Sequence, residues 1–433
     1  MAGRTPLDSW IAARTGSAPL TRGALAAWQA QKLRETVALA RQESPFYRRH
    51  LGPFRAEDVT PADLPRLPFT TAADIADNPL RFLCVSQDRI NRVVTLRTSG
   101  TTGPSKRLYF TAEDQELTRD FFHHGMSTLV GPGDRVLILM PGKLPGSVGD
   151  LLRESLARLG VEGVVHGFVK DPAEVLAILR RERIDALVGI PVQVLALARW
   201  PERDRPRLKS ILLTTDHVPR VVTAELERLF QALVFNHYGM TEMGLGGGVE
   251  CGARDGYHLR EADLLFEIVD PVTGGVVRES EEGEIVFTTL TRAGMPLIRY
   301  RTGDLGRFVP GPCPCGTALK RMAPVRERVR GRIPLAGGGY ISMAMLDEAV
   351  FAVGGVIDFQ AVLTAAGGAD RLSLRVQVSG RTDTTGGAVD RSLRDIPAVA
   401  ANVAKGSLTC PPAEVECPRE LARPAKRMIW DRR

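Results

Sequence analysis

A loop rich in glycine and hydroxyl side chains, followed by a lysine, is the segment of this chain best suited to chemistry. Glycines let the backbone approach a ligand closely, and successive free N–H groups in such a loop form a concavity that binds anions. The hydroxyls and the lysine ammonium add donors and positive charge. These groups predict a polyphosphate-binding loop. Its residues are Thr98, Ser99, Gly100, Thr101, Thr102, Gly103 and Lys106.

The spacing excludes one common kind of phosphate loop. The Walker A pattern G-x-x-x-x-G-K-[ST] is absent, and residues 107–110 favour a strand, whereas a Walker loop opens a helix. A helix is predicted to begin only near Thr111, where Thr111 and Asp114 form a capping pattern. Taken alone, the loop has an alternative interpretation as a flexible Ser/Thr/Gly turn.

Two more motifs lie downstream of the loop, HYGMTE at residues 237–242 and YRTGD at residues 300–304. Together with TSGTTGPSK at residues 98–106, they resemble three motifs of the adenylate-forming superfamily in the family's order. That superfamily includes acyl-CoA synthetases, luciferases and nonribosomal-peptide adenylation domains. Residues 238–319, which end in a CPCG segment, are similar to the phenylacetate–CoA ligase branch, to which coenzyme F390 synthetases also belong. The resemblance spans roughly residues 35–350 and fades toward the C-terminus.

The resemblance implies that ATP activates a carboxylic acid to an acyl adenylate. The acyl group would then be transferred to coenzyme A in a second step. It implies that residues 98–106 hold the β- and γ-phosphates. Thr241 would donate to the α-phosphate, and Glu242 would bind Mg²⁺, a hard cation that prefers carboxylate oxygen. Positioning and electrostatic stabilisation would supply most of the catalysis.

The same resemblance implies a nucleoside pocket. Tyr238 would stack on adenine with Asp216 nearby, Asp304 would accept hydrogen bonds from the ribose hydroxyls, and Arg332 would lie near the ribose and the hinge. Alternatively, Glu242 is a plain surface acid and Asp304 a turn residue. The residues assigned to ATP besides the loop are Tyr238, Gly239, Met240, Asp216, Asp304 and Arg332.

A second constellation has the composition of a metal site. Cys251 and His258 are followed downstream by Cys313 and Cys315. Three thiolates and an imidazole suit tetrahedral Zn²⁺, although Cys-x-Cys is tighter than the usual spacing. Cysteines in this pattern occur in related ligases, which favours a structural zinc; the alternative is a group of reduced cysteines near a turn.

Two segments depart from the family pattern. The family usually carries an acidic hinge after Gly-Arg, but here Arg332 is followed by Ile333 and Pro334, and a proline fixes φ. Near the C-terminus the branch has G-K-A-x-R-x-x-D-x-R, whose lysine serves adenylation. Pro424 aligns with that lysine, and Lys426 is two residues further on. Lys426 is therefore the candidate catalytic lysine, with a solvated tail charge as the alternative.

The elements that position these motifs alternate between apolar strands and amphipathic helices from about residue 93 onward, which predicts α/β layers with a largely parallel sheet. After about residue 255, short strands separated by turns predict an antiparallel subdomain. We expect a large N-terminal AMP-binding domain of residues 1–330 and a small α+β C-terminal domain of residues 331–433.

Composition limits the function classes. The 433 residues carry a net charge of +7 without a basic run interleaved with aromatics, so nucleic-acid binding is not expected. The sequence has no run of about 18 apolar residues, so a membrane span is not expected. Its N-terminal segment lacks the apolar region of a secretory signal, so we expect the protein in the cytoplasm. The expected partners are ATP and a small carboxylic acid; the acid and the oligomeric state stay open. Two alternatives remain: an adenylating enzyme with another acceptor, and a nucleotide-binding regulatory or assembly protein on a degenerate ligase scaffold.

Overall fold

The chain forms two compact units, each made of several segments. The computed structural model describes residues 3–96, 105–202, 204–380, 384–424 and 426–433. Residues 98–103 of the predicted phosphate loop lie outside these described residues, so their role stays a prediction. Unit 1 consists of Met1–Thr128, Leu144–Leu159 and Asn236–Val325, and unit 2 of Leu129–Lys143, Gly160–Phe235 and Arg326–Arg433. The predicted division into domains 1–330 and 331–433 concerns independent folding and stays a prediction.

Twelve α-helices occur in the described part of the chain. Several begin at side-chain caps or at a proline in the first turn, where the missing N–H costs nothing. The helices are α1 (Pro6–Thr15), α2 (Arg22–Glu43), α3 (Pro45–His50), α4 (Ala72–Asp77), α5 (Ala112–Met126), α6 (Val148–Ala157), α7 (Pro172–Arg181), α8 (Pro191–Arg199), α9 (Arg220–Phe230), α10 (Met343–Val350), α11 (Thr385–Arg394) and α12 (Pro397–Ala404).

The strands are short, apart from one long hairpin near the C-terminus. They are β1 (Arg92–Leu96), β2 (Lys106–Phe110), β3 (Arg135–Ile138), β4 (Glu162–Val165), β5 (Ala186–Gly189), β6 (Ser210–Leu213), β7 (Leu233–Tyr238), β8 (Gly248–Glu250), β9 (Tyr257–Leu259), β10 (Leu264–Val269), β11 (Gly283–Thr289), β12 (Tyr300–Gly306), β13 (Phe308–Val309), β14 (Arg321–Met322), β15 (Ile333–Pro334), β16 (Tyr340–Ile341), β17 (Val356–Ala366), β18 (Ala369–Val378), β19 (Leu408–Thr409), β20 (Glu414–Glu416) and β21 (Ile429–Asp431).

Unit 1 is built on antiparallel strands. β1 pairs with β2, and β10, β11 and β12 form a three-stranded sheet. The C-terminal end of β7 continues through β8, β9, β14 and β13, each antiparallel to its neighbour. Buried aromatic and aliphatic side chains of α2, β2 and β10–β12 form its core. This arrangement confirms the predicted antiparallel subdomain after residue 255.

Unit 2 contains the parallel sheet. Its strand order is β4-β3-β5-β6, and all three pairs are parallel. A second sheet has the order β19-β18-β17-β21, with β20 also paired to β18. The α/β fold class is confirmed. Apolar periodicity in the sequence predicts a helix over residues 222–233. The structure differs at its end: α9 ends at Phe230 because Gln231 takes a left-handed conformation with φ of 51°, and β7 begins at Leu233.

The cap of α5 confirms the capping pattern and ties this helix to the segment before β12. The Thr111 hydroxyl accepts from the Asp114 N–H at 3.1 Å, and the Asp114 carboxylate accepts from the Thr111 N–H at 3.0 Å. Asp114 also accepts from the N–H groups of Ala293 and Gly294 at 3.1 and 3.3 Å. Among the described residues, no helix combines the length and apolar character that a membrane span requires.

Candidate functional site

Two predicted ligand residues from distant motifs meet inside unit 1. Lys106 is the first residue of β2, and Glu242 lies in the 3-10 turn Thr241–Met243 that follows β7. The Lys106 ammonium donates to Glu242 Oε1. The two side chains are only 10% and 4% exposed, so the ion pair is buried. The structure thus joins the residue expected at phosphate to the residue expected at Mg²⁺.

Tyr300 completes this pair as a third member. Its hydroxyl accepts from Lys106 Nζ at 3.0 Å and donates to Glu242 Oε1 at 3.1 Å. Tyr300 is the first residue of β12 and is buried. The sequence analysis did not identify Tyr300 as a site residue. Its position at the start of the YRTGD motif is the signal that could have done so.

Arg299 holds the backbone of Tyr300 in place. Its guanidinium is buried and makes two hydrogen bonds to the Glu267 carboxylate at 2.9 and 3.0 Å, and a third to the carbonyl oxygen of Leu67 at 2.6 Å. Its φ of 48° lies in the left-handed region, which is strained for a residue with a side chain. Such strain persists where the surroundings over-determine the conformation. The start of β12 is therefore rigidly held.

The predicted adenine and ribose residues are also neighbours in unit 1. The Tyr238 hydroxyl donates to Asp304 Oδ2 at 3.0 Å, and the Tyr238 ring stacks on Tyr257 with centroids 5.9 Å apart. Asp304 is held in turn by its N–H, which donates to Thr302 Oγ1 at 3.0 Å. A carboxylate and an aromatic ring therefore stand side by side where a nucleoside is expected.

A tight turn presents Thr241 and Glu242. A Cβ at Gly239 would lie 2.2 Å from the carbonyl oxygen of Leu245, so only glycine fits there. The chain closes back through the Leu245 N–H, which donates to the Met240 carbonyl oxygen at 2.9 Å. Gly239 and Met240 thus serve the turn that carries the predicted catalytic pair.

Arg292 supports the same turn from behind. Its guanidinium donates to the carbonyl oxygen of Glu242 at 2.8 Å and lies 4.2 Å from the centroid of the Phe110 ring. Phe110 ends β2, the strand that begins with Lys106. Burial lowers the pKa of Arg292. Nothing in the sequence spacing pointed to this residue, because its contacts depend on how β2 and the loop before β12 pack.

Asp216 and Arg332 lie in unit 2. Asp216 accepts from the N–H of His217 at 2.9 Å, and burial raises its pKa, against the effect of the positive charges of Arg427 and Lys426. Arg332 pairs with Glu327 at 2.6 Å, and its guanidinium lies 5.1 Å from the centroid of the Tyr340 ring. The structure thus places the two residues beside charges and rings of their own unit, and their ATP roles stay predictions.

Arg427 anchors the C-terminal segment of unit 2. It pairs with Asp347 at 2.6 Å and also with Asp358, and the rings of Phe351 and Phe359 flank its guanidinium at 5.0 and 4.6 Å. The strand β21, which follows Arg427, pairs in parallel with β17. With Arg427 directed inward, the neighbouring Lys426 is exposed.

The four predicted zinc ligands come together in unit 1. Their ligand atoms all lie within 4.8 Å of one another, and all four residues are buried. Strand pairing explains this, because β8, β9, β14 and β13 are successive neighbours and the ligands lie on or next to them. The ligands are Cys251, His258, Cys313 and Cys315.

The distances within this cluster fit a tetrahedral metal. The sulfurs of Cys251 and Cys313 are 3.7 Å apart, and the Cys315 sulfur is 3.4 Å from His258 Nε2. Tetrahedral Zn–S bonds of about 2.3 Å separate two sulfurs by about 3.8 Å. Burial raises the pKa of Cys251 to about 12 and lowers that of His258 to about 4. The donor set therefore fits Zn²⁺, which would have to displace the thiol protons.

Comparison with known proteins places this geometry in a family. Residues 72–291 match the AMP-binding enzyme family. The chain is 31% identical over 320 residues to phenylacetate-coenzyme A ligase of Aromatoleum evansii, covering 70% of each chain. It is 29% identical over 381 residues to the enzyme of that name from Thermus thermophilus, covering 83% of each chain.

A solved structure shares the fold. The crystal structure of 2-hydroxyisobutyryl-CoA ligase in the postadenylation state, in complex with R3-HIB-AMP, matches with a TM-score of 0.78 and 22% identity. The match covers 95% of this chain and 89% of that chain. The chain therefore belongs to the AMP-binding enzymes, and within them to the phenylacetate–CoA ligase-like branch of the adenylate-forming superfamily. The predicted family and fold class are confirmed.

Proposed function

We propose that the protein is an AMP-forming acid–CoA ligase, which activates a carboxylic acid with ATP and transfers the acyl group to coenzyme A. The observation that carries this proposal is the buried cluster of Lys106, Glu242 and Tyr300, which joins three separate motifs of the family in unit 1. The relatives named phenylacetate-coenzyme A ligase support the same reaction class.

The first step needs stabilisation of charge on phosphate. A carboxylate oxygen attacks the α-phosphorus of ATP, the bond to the β-phosphate oxygen breaks, and pyrophosphate leaves. We assign Lys106, with the loop of residues 98–103, to the β- and γ-phosphates and Thr241 to the α-phosphate. The Glu242 carboxylate suits Mg²⁺, which when bound would neutralise phosphate charge.

The nucleoside would be held by the pair in β7 and β12. We assign the Tyr238 ring to adenine and the Asp304 carboxylate to the ribose hydroxyls, because the two side chains are hydrogen-bonded neighbours. Asp216 and Arg332 of unit 2 are assigned to the same nucleotide by family resemblance.

The second step transfers the acyl group. The thiol of coenzyme A loses its proton and attacks the acyl carbon, and AMP leaves as the thioester forms. Pro424 at the position of the family lysine favours a second candidate, a nucleotide-binding regulatory protein on the ligase scaffold. The intact Lys106–Glu242 pair favours the enzyme.

A panel of carboxylic acids tests the proposal, led by phenylacetate because of the named relatives. We expect acid-dependent release of pyrophosphate from ATP and Mg²⁺, and an acyl-CoA product when coenzyme A is added. Glu242→Gln should lower the release by roughly 10²-fold, the scale of one electrostatic contact in a transition state. Arg228→Gln, a change in an exposed ion pair of unit 2, is the control. ATP binding without turnover of any acid would favour the regulatory candidate.

We also propose that Cys251, His258, Cys313 and Cys315 hold a structural Zn²⁺. Purified protein should contain about one zinc per chain, and Cys313→Ser with Cys315→Ser should lose both the metal and thermal stability. Cys417→Ser changes an exposed cysteine outside the cluster and is the control. Metal analysis that finds no zinc in protein never exposed to chelator contradicts the proposal.

The same proposal places the enzyme in the cytoplasm. All six cysteines are free of disulfides, which fits a reducing compartment. ATP and coenzyme A, the proposed substrates, fit the same location. Fractionation of cells that produce the protein, with activity followed in each fraction, tests the location.

A further inference from the structure

The buried Lys106–Glu242 pair of unit 1 has a property that the proposed reaction does not require. Each partner is assigned to a different ligand, Lys106 to phosphate and Glu242 to the metal, yet in the structure they neutralise each other. We propose that this pair couples nucleotide and metal binding, so that neither ligand binds well without the other. The inference rests on the proposed function for the identity of the two ligands.

The pair can couple the binding of nucleotide and metal because both of its side chains are buried. The side chains are 10% and 4% exposed, so water cannot replace a lost partner. Breaking a buried ion pair by removing one side leaves an uncompensated charge, a penalty that corresponds to roughly 10²-fold or more in a binding constant. A ligand that occupies only one partner has to overcome that penalty.

The signs of the charges point the same way. A cation alone at Glu242 would lie beside the Lys106 ammonium, and a phosphate alone at Lys106 would lie beside the Glu242 carboxylate. Both arrangements place like charges together. When metal and phosphate arrive together, each charge of the pair gains a new partner of opposite sign, and the penalty disappears.

Neighbouring groups moderate the coupling but do not remove it. The Tyr300 hydroxyl can accept from the ammonium and donate to the carboxylate, so it remains a partner to whichever side is left. Arg292 contacts the Glu242 main-chain carbonyl oxygen at 2.8 Å and adds positive charge nearby. We therefore expect the measured coupling to be smaller than the full penalty, about 10-fold or more.

The test uses variants that should gain binding, which a purely structural role would not produce. Mn²⁺ alone, followed by electron paramagnetic resonance without nucleotide, should bind Lys106→Met about 10-fold or more tightly than the native chain. ATP in EDTA, followed by calorimetry, should bind Glu242→Gln more tightly than the native chain by a similar factor. Arg228→Gln, a change in an exposed ion pair of unit 2, is the control and should show no gain.

The double variant carries no unpaired buried charge, so it keeps the inference testable if a single variant does not fold. Lys106→Met with Glu242→Gln removes both charges, and its ATP affinity should be the same with and without Mg²⁺. Equal Mn²⁺ affinity of the native chain and Lys106→Met, together with a double variant that still needs Mg²⁺, would overturn the inference. Failure of the proposed function is distinguishable, because it shows as absent acid-dependent pyrophosphate release, whereas the inference is tested by Mn²⁺ and ATP binding alone.

Discussion

Two buried ion pairs, Lys106–Glu242 of unit 1 and Arg427–Asp347 of unit 2, differ in their surroundings. Within the part of the chain that the structure describes, Lys106 and Glu242 of unit 1 share the Tyr300 hydroxyl as a further side-chain partner. Arg427 of unit 2 pairs with Asp347 and Asp358 and lies between two aromatic rings. The first pair has few other contacts and can exchange its partners for ligands, whereas the cation of the second is held by two carboxylates and two rings.

The choice of cation fits this difference. A guanidinium presents several donors in a rigid plane and stacks on rings, which suits a permanent anchor. An ammonium is a compact point charge with rotatable donors, which suits a group that turns from a carboxylate to a phosphate. The same type of interaction thus stabilises the fold in unit 2 and prepares a site in unit 1.

The largest expected effect separates the two pairs by double-mutant cycles. Arg427→Met should lower the free energy of unfolding by roughly 3–5 kcal/mol. Adding Asp347→Asn should recover only part of it, because the contacts of the guanidinium with Asp358 and the two aromatic rings stay lost. Lys106→Met with Glu242→Gln should recover most of the loss of the single variants, because this pair is self-contained. Urea denaturation of the native chain, the four single variants and the two double variants measures both cycles. Recovery in both cycles would abolish the distinction.

The second prediction concerns Lys426, the exposed neighbour of the Arg427 anchor. If Lys426 replaces the family lysine, Lys426→Ala should lower pyrophosphate release by roughly 10²-fold, the size of one strong electrostatic contact. ATP affinity should change little, because Lys106 and Glu242 lie in the other unit. Lys170→Ala removes another exposed lysine of unit 2 and is the control. Unchanged release in Lys426→Ala removes this lysine from the mechanism.

The third prediction compares a buried neutral group of unit 1 with the charged pairs. Burial lowers the pKa of His237 to about 4, from an ordinary value of 6.5. Because the folded state binds fewer protons than the unfolded state between these values, stability is full above about pH 6.5 and is lost as the pH falls toward 4. His237 alone should contribute about 2 kcal/mol to the loss between pH 6.5 and pH 5, and His124, whose pKa burial also lowers to about 4, should add to it.

Urea midpoints measured at several pH values check this dependence. His237→Gln should flatten the decline, whereas His166→Gln, an imidazole of unit 2, should leave it in place. Identical slopes for the native chain and His237→Gln would show that this histidine is not the cause.

The smallest expected effect concerns Tyr300. Tyr300→Phe removes one hydroxyl but leaves the Lys106–Glu242 pair, so stability should fall by about 1 kcal/mol, the net value of a typical hydrogen bond. Tyr340→Phe in unit 2 controls for the loss of a phenol. A loss of several kcal/mol in Tyr300→Phe would make the tyrosine, and not the ion pair, the main support of the site.

Local elements were largely predictable from the sequence. Periodic apolar residues predict a helix over residues 172–181, which are the bounds of α7, and the capping pattern at Thr111 predicts the start of α5. The predicted end of α9 was wrong, because the left-handed conformation of Gln231 cannot be recognised from the spacing of apolar residues. Short-range rules therefore sufficed wherever the signal lay within one element.

The sequence by itself determined the types of group that the site needs: a lysine after a glycine-rich loop, a carboxylate after Tyr-Gly-Met-Thr, and three cysteines with a histidine. Only the tertiary structure decided which of them meet. Strand order brings Lys106, Glu242 and Tyr300 to one buried point, and packing adds Arg292 behind them. Such contacts join residues 50 to 136 positions apart, and their energies depend on burial, which no local pattern of residues contains.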